Sequence, residues 1–162
     1  QGAFGYRITD PDWFTEAEFK KLCDDTRAIA ARLRETGWQI GCHSYTHNSF
    51  WRGDMTLEQV KNDLERWKSL MTPYVGETNI LITPFGGRFG TEGAVYDYIV
   101  KELGFTIVCP VGAGMATTYQ QHGMMQDRLN LDGYTMIKPP ERVSKSFCDP
   151  APILDPARPP LD

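Results

Sequence analysis

At 162 residues the chain has room for one globular domain with a core of its own and too little for two. A hydrophobic content of 41% against 23% charged residues excludes a disordered chain, and no apolar run is long enough for a membrane span. The formal net charge of -4, without any lysine or arginine run, excludes the electrostatic footprint expected of a protein that binds nucleic acid or an anionic membrane.

In chain order, residues 4–8 suit a short strand, and Asp10, Pro11 and Asp12 suit a turn. Thr15 and Glu18 have capping-box spacing, and Phe19, Leu22, Cys23, Thr26, Ile29, Ala30 and Leu33 then recur at helical intervals until Gly37 supplies a stop. Residues 38–42 read as a short buried strand, and residues 43–54 as a polar, aromatic loop at its C-terminal end. Thr56 and Gln59 open a second helix, with Leu57, Val60, Leu64, Trp67 and Met71 on one stripe, that ends before Pro73. Residues 79–83 form another apolar run, stopped by Pro84, Phe85, Gly86 and Gly87. A third helix spans residues 92–103 with Gly104 as terminator, and residues 105–109 form the next strand. Strand and helix alternate, so parallel strands with helices packed outside are expected, in an open sheet or a barrel. Functional loops then follow strand C-termini.

Beyond Pro110 a Gly- and Met-rich loop leads to a turn at Asp132-Gly133 and a strand over residues 134–138. The expected domain covers residues 1–145, and residues 146–162, with five prolines, form a tail that continues neither a helix nor a central strand. Cys23, Cys42, Cys109 and Cys148 are scattered with no C-x-x-C pair. Cys23 and Cys42, inside apolar segments, read as buried thiols. The first residues carry no charged-then-apolar leader, so an export signal is expected to be absent or already removed.

His43 and His47 lie four apart directly after a predicted buried strand. On one helical turn, side chains at i and i+4 share a side, and two imidazole nitrogens can then meet one cation at about 2.0–2.1 Å. A further donor, typically a carboxylate, and open positions for water and substrate complete such a site. The spacing alone also fits incidental loop histidines.

The run Gly41-Cys42-His43-Ser44-Tyr45-Thr46-His47, preceded by Gly37-Trp38-Gln39-Ile40, resembles the second motif of the polysaccharide deacetylases, H-[ST]-x-x-H after a barrel strand. The following helix, and then the strand ending in Pro84-Phe85-Gly86, match the order in which that family places its third motif, R-x-P-[FY]. The resemblance runs over roughly residues 4–138. It implies an α/β fold, an incomplete or distorted (β/α) barrel, in which a metal-bound water attacks an acetyl carbonyl of an acetylated polysaccharide or oligosaccharide. It further implies His43 and His47 as metal ligands, zinc as the default ion with cobalt, nickel and manganese as alternatives, and a main-chain N–H at Phe85 that stabilises the oxyanion. The family's usual substrates imply an extracellular or cell-envelope location.

The sequence departs from the family pattern at several places. The first motif, a T-F-D-D strand end supplying a metal-binding aspartate and a base, has no counterpart and would lie before Gln1. Ile82 stands where the third motif has arginine, and no leucine-aliphatic-histidine run follows residue 123. Arg88 is either a substitute for that arginine or a solvated loop residue. His122 is either the general acid or a surface group. Asp127 is either a base or a third ligand, whereas Asp132 is better explained by its turn. Tyr45, Trp51, Pro84 and Phe85 are candidate sugar contacts, with Phe50 and Trp51 alternatively anchoring their loop. Trp67 belongs to the core stripe. A catalytically inactive carbohydrate-binding or scaffold domain is the rival reading. A glycosidase, which needs two carboxylates at about 5–9.5 Å, comes third because no strand end carries such a pair.

Overall fold

The computed structural model describes residues 15–53, 55–112, 116–129, 133–137, 141, 149 and 152. The expected strand at residues 4–8, the turn at Asp10-Pro11-Asp12, Asp132, Cys148 and most of the proline-rich tail lie outside the described residues.

Helix α1, Glu16–Glu35, starts where the capping arithmetic puts it. Glu18 N–H donates to the Thr15 hydroxyl at 3.3 Å, while Thr15 N–H donates to the Glu18 carboxylate at 2.8 Å. Gly37, at φ 89°, takes the left-handed turn that follows the helix. Its stripe is less buried than the periodicity suggests. Only Ala30 is buried, and Leu22, Ile29 and Leu33 stay exposed, while the cap and exposed i,i+4 pairs such as Lys20–Asp24 add small increments.

Helix α2, Leu57–Val75, carries the core stripe. Its cap is again a box, Thr56 with Gln59, and Val60, Leu64 and Trp67 are buried along one face. The helix does not end before Pro73 as expected. It runs two residues past it, because a proline in the last turn forfeits only one hydrogen bond, and Gly76, at φ 76°, supplies the stop.

The sheet among the described residues has four strands in the order β1-β2-β4-β3: β1 Ile80–Ile82, β2 Ile107–Cys109, β3 Thr117–Tyr119 and β4 Met124–Gln126. β1, β2 and β4 run parallel, with Ile80 opposite Ile107 and Ile107 opposite Met124. β3 is added antiparallel to β4. This open mixed α/β sheet agrees with the expected α/β class and with an incomplete or distorted barrel. The β3–β4 hairpin was not foreseen. Its turn, Gln120 to Gly123, lacks an Asn-Gly or Asp-Gly signal, and every residue of β3 is exposed.

Two further expectations need correction. Residues 38–42 do not form a strand buried along its length. Trp38 is 67% exposed, and Cys42 alone makes a parallel bridge, to Leu81. The approach is close enough that a Cβ on Gly41 would sit 3.2 Å from Ile80 Cγ2 and 3.3 Å from Ile82 Cδ1. The second correction concerns the strand expected over residues 134–138: Gly133–Ile137 form a helical turn, α4, and Lys138 lies outside the described residues. A run so short has no decisive hydrophobic period.

The predicted third helix is present but split. An α-helical turn, α3, spans Ala94–Tyr96, and a π-helical turn follows over Asp97–Glu102, burying Tyr98, Ile99 and Val100. With Leu81, Val108, Phe105, Leu64 and Trp51 these make the core. Because β1, β2 and β4 are parallel, the loops after Cys42, β1, β2 and β4 all emerge at one edge of the sheet.

Leu81 is fully buried at the centre of this arrangement, between the Cys42 bridge and Val108. Leu81→Ala is expected to lower unfolding free energy by about 2–5 kcal/mol. Urea denaturation measures it, and a loss under about 1 kcal/mol would mean that the core lies elsewhere.

Candidate functional site

The segment after Cys42 brings its two histidines together, though not by the helical turn that their spacing suggested. Ser44 and His47 have positive φ, 63° and 48°, so the chain turns through two left-handed residues. Each such residue costs on the order of 1–3 kcal/mol unless its surroundings hold it. The ring centroids of His43 and His47 lie 5.0 Å apart with planes at 69°. His47 N–H donates to the Ser44 hydroxyl at 2.9 Å, which closes the turn.

His43 is fixed by its own partner. Its Nδ1 lies 2.7 Å from the Ile82 carbonyl oxygen. A carbonyl only accepts, so Nδ1 carries a proton, and in the tautomer with that proton alone Nε2 holds a lone pair for another partner. That arrangement is the one metal-ligating imidazoles use. His43 and His47 are therefore the donors here that could hold a divalent ion. Among the described residues no group of three or more His, Cys, Asp or Glu converges, so a further donor is not found within them.

Helix α2 supplies the loop's anchor. The Asp63 carboxylate, on a residue only 3% exposed, accepts from Tyr45 N–H at 3.1 Å, from Thr46 N–H at 2.8 Å and from the Thr46 hydroxyl. Asp63 is not among the candidate residues named above, although a carboxylate between Val60 and Leu64 on the buried stripe is a visible signal.

Beside the histidines stands the loop after β1. Pro84–Gly86 makes a 3-10 turn in which Phe85 takes φ 54°. The Phe85 side chain is 43% exposed, its ring 4.6 Å from that of His47 and 4.2 Å below the Arg52 guanidinium. The Pro84 side chain is fully buried and Trp51 is 0% exposed, so neither offers a face to a sugar. Of the paired alternatives for Trp51, the loop anchor describes it. Tyr45 is half-buried, with Arg66 over its ring at 4.8 Å. Gly87 passes so close to the Trp51 carbonyl that a side chain at position 87 has no room.

Asp127, at the C-terminal end of β4, shares this edge of the sheet. Its carboxylate, 11% exposed, pairs with Arg88, so Arg88 is not merely solvated. Arg128, which no local pattern singles out, donates to the Cys109 carbonyl at 3.2 Å and the Thr83 carbonyl at 3.1 Å, joining the loops after β1 and β2. His122 is not brought to this group. It sits exposed in the β3–β4 turn, before β4 begins, and Asp127 lies beyond the far end of that strand, about 16 Å away at an extended rise per residue. There it lines a separate cavity of 550 Å³ with Glu92, Asp97, Lys101 and Tyr119.

A family model described as polysaccharide deacetylase matches residues 14–108, more than half of the chain. Neither the curated proteins nor the solved structures compared with the chain contain a match.

Cys42, adjacent to His43, is fully buried, and burial pushes its thiol up to about 12. The thiol is therefore inert at neutral pH. Iodoacetamide at pH 8 is expected to label half-buried Cys23 and leave Cys42 untouched in the folded protein, as peptide mass mapping would show. Because the folded-state pKa is raised, this thiol's contribution to stability is full below the unfolded value of 9.0 and is lost as pH rises toward about 12. An unfolding midpoint that fell between pH 6 and 8 through Cys42 would contradict this.

Proposed function

Since the chain belongs to the polysaccharide deacetylase family, we propose that it is a metal-dependent hydrolase that removes N- or O-acetyl groups from a polysaccharide. The observation that carries this reading is the pair of imidazoles 5.0 Å apart, one of them with Nδ1 committed to the Ile82 carbonyl and Nε2 left for a ligand. His43 and His47 would hold the ion, with zinc the default for an imidazole-rich hydrolytic site and cobalt, nickel or manganese as replacements. When bound, the ion supplies the positive charge that polarises an acetyl carbonyl and acidifies a nearby water.

The remaining roles fall to the chain's own groups. The Phe85 main-chain N–H is the candidate donor to the oxyanion that develops on the acetyl oxygen, on a turn whose shape is fixed by the Gly87 N–H to Pro84 carbonyl bond of 3.0 Å. The exposed Phe85 ring and the Tyr45 edge flank the place where a sugar would lie. Asp127 is the carboxylate at this edge for taking a proton, with Arg88 orienting it. His122 has no part in this reading. Acetylated structural polymers imply work outside the cell or in the cell envelope.

A second reading, a carbohydrate-binding domain without catalysis, is favoured by Ile82 at the arginine position of the third motif and by the lack of a three-donor cluster among the described residues. Acetate release from an acetylated chito-oligosaccharide separates the two. The enzyme reading expects activity that a chelator removes and zinc restores. It expects His43→Ala and His47→Ala each to lower kcat/KM by at least about a hundredfold, beyond the range seen when only a ligand's outer partner is lost. No acetate release with zinc present, alongside retained oligosaccharide binding, would establish the binding domain instead.

A further inference from the structure

We propose that Asp63 is a positioning residue of the candidate metal centre: its buried carboxylate holds the His43–His47 loop in the shape that turns both imidazoles to a common side. Its functional meaning rests on the metal-dependent reading above, whereas its geometric content does not.

The carboxylate is 3% exposed, and among the described residues no lysine or arginine pairs with it. Its donors are Tyr45 N–H, Thr46 N–H and the Thr46 hydroxyl, all from the loop. Helix packing does not call for a charge at this position. Val60, Leu64 and Trp67 share the face, and an apolar side chain there would be buried without the desolvation cost of an anion. The loop is what calls for it. Ser44 and His47 bracket the two donating amides, both in left-handed conformations that non-glycine residues rarely adopt. Successive main-chain N–H groups pointing to one spot form a nest for an anion, and Asp63 is the anion built into this nest.

The two rings are held by different means. His43 is tethered directly to the Ile82 carbonyl, whereas the turn that carries His47 has its amides on Asp63 and its closing bond to Ser44. Losing the Asp63 charge is therefore expected to loosen the Tyr45–Thr46 turn between the two histidines, while the sheet and α2 persist.

The test compares the full chain with Asp63→Asn and, as a control, Glu65→Gln. The control removes the charge from another carboxylate on the same helix, Glu65, which accepts from the Tyr98 hydroxyl at 2.6 Å and does not touch the loop. Zinc affinity is measured by chelator competition, and the expected loss is about 10–100-fold for Asp63→Asn against less than about twofold for the control. In metal-free protein, amide exchange at Tyr45 and Thr46 should speed up in Asp63→Asn, and the proton contact between the His43 and His47 rings should vanish, with the Val60 and Leu64 amides still protected.

Unchanged zinc affinity, or unchanged protection at residues 45 and 46, overturns the proposal. If the parent chain itself binds no zinc, the metal-dependent reading fails, and the metal-free exchange alone then decides the role of Asp63. Should Asp63→Asn not fold, Thr46→Val removes one donor from the loop side with Asp63 in place. A faster-exchanging loop with weaker zinc binding supports the proposal there, and an unaltered one refutes it.

Discussion

Two main-chain hydrogen bonds set where everything else in this molecule can act. Cys42 N–H donates to the Ile80 carbonyl at 2.8 Å and Ile82 N–H donates to the Cys42 carbonyl at 2.7 Å, which fixes the segment before His43 parallel to β1. From that register the rest follows. His43 emerges at the level of Ile82, its ring reaches the Ile82 carbonyl, and the loops after β1, β2 and β4 open on the same side. A slip of one residue would turn Cys42 out of the core and His43 into it, since alternate strand residues face opposite sides. The full burial of Cys42 and Leu81 on the one hand, and the exposure of His43 on the other, hold the register in place.

Much of this was legible in the amino-acid order. Both capping boxes, the left-handed glycines at 37 and 104, and the apolar runs of β1 and β2 appear where their spacing puts them, because each depends on neighbours a few residues away. The family, too, was readable from a short motif and its surroundings, and the matched stretch of residues 14–108 contains both. What was not legible depended on partners distant in sequence. Asp63 acts on residues 17 and 18 positions earlier, and Arg128 on carbonyls 19 and 45 positions earlier, and no local pattern announces such a bond. The helical turn inferred for His43 and His47 failed for a related reason. The spacing allowed a helix, but the Tyr45 and Thr46 amides were taken by a carboxylate on another element.

Three side chains that the sequence grouped by type alone are now separated by position. Trp51 and Phe85 are both aromatic residues near the motifs, yet one is sealed beneath the loop and the other lies open beside His47. His122 shares its chemistry with the other two histidines and stands at the far end of the sheet, because β4 must be traversed before the chain returns to the edge where they sit. Residue type names the chemistry available, and strand direction decides which residues can share it.

The crowding at Gly87 has a practical meaning for anyone reshaping this protein. Its backbone touches the Trp51 carbonyl with no side chain between them, so the 49–52 turn and the 84–88 loop meet as bare main chain. Neither surface can be remodelled alone without opening a gap or a collision along that seam. A transplant intended to alter what the protein accepts would have to move both segments together, as a single cassette, keeping glycine at the join.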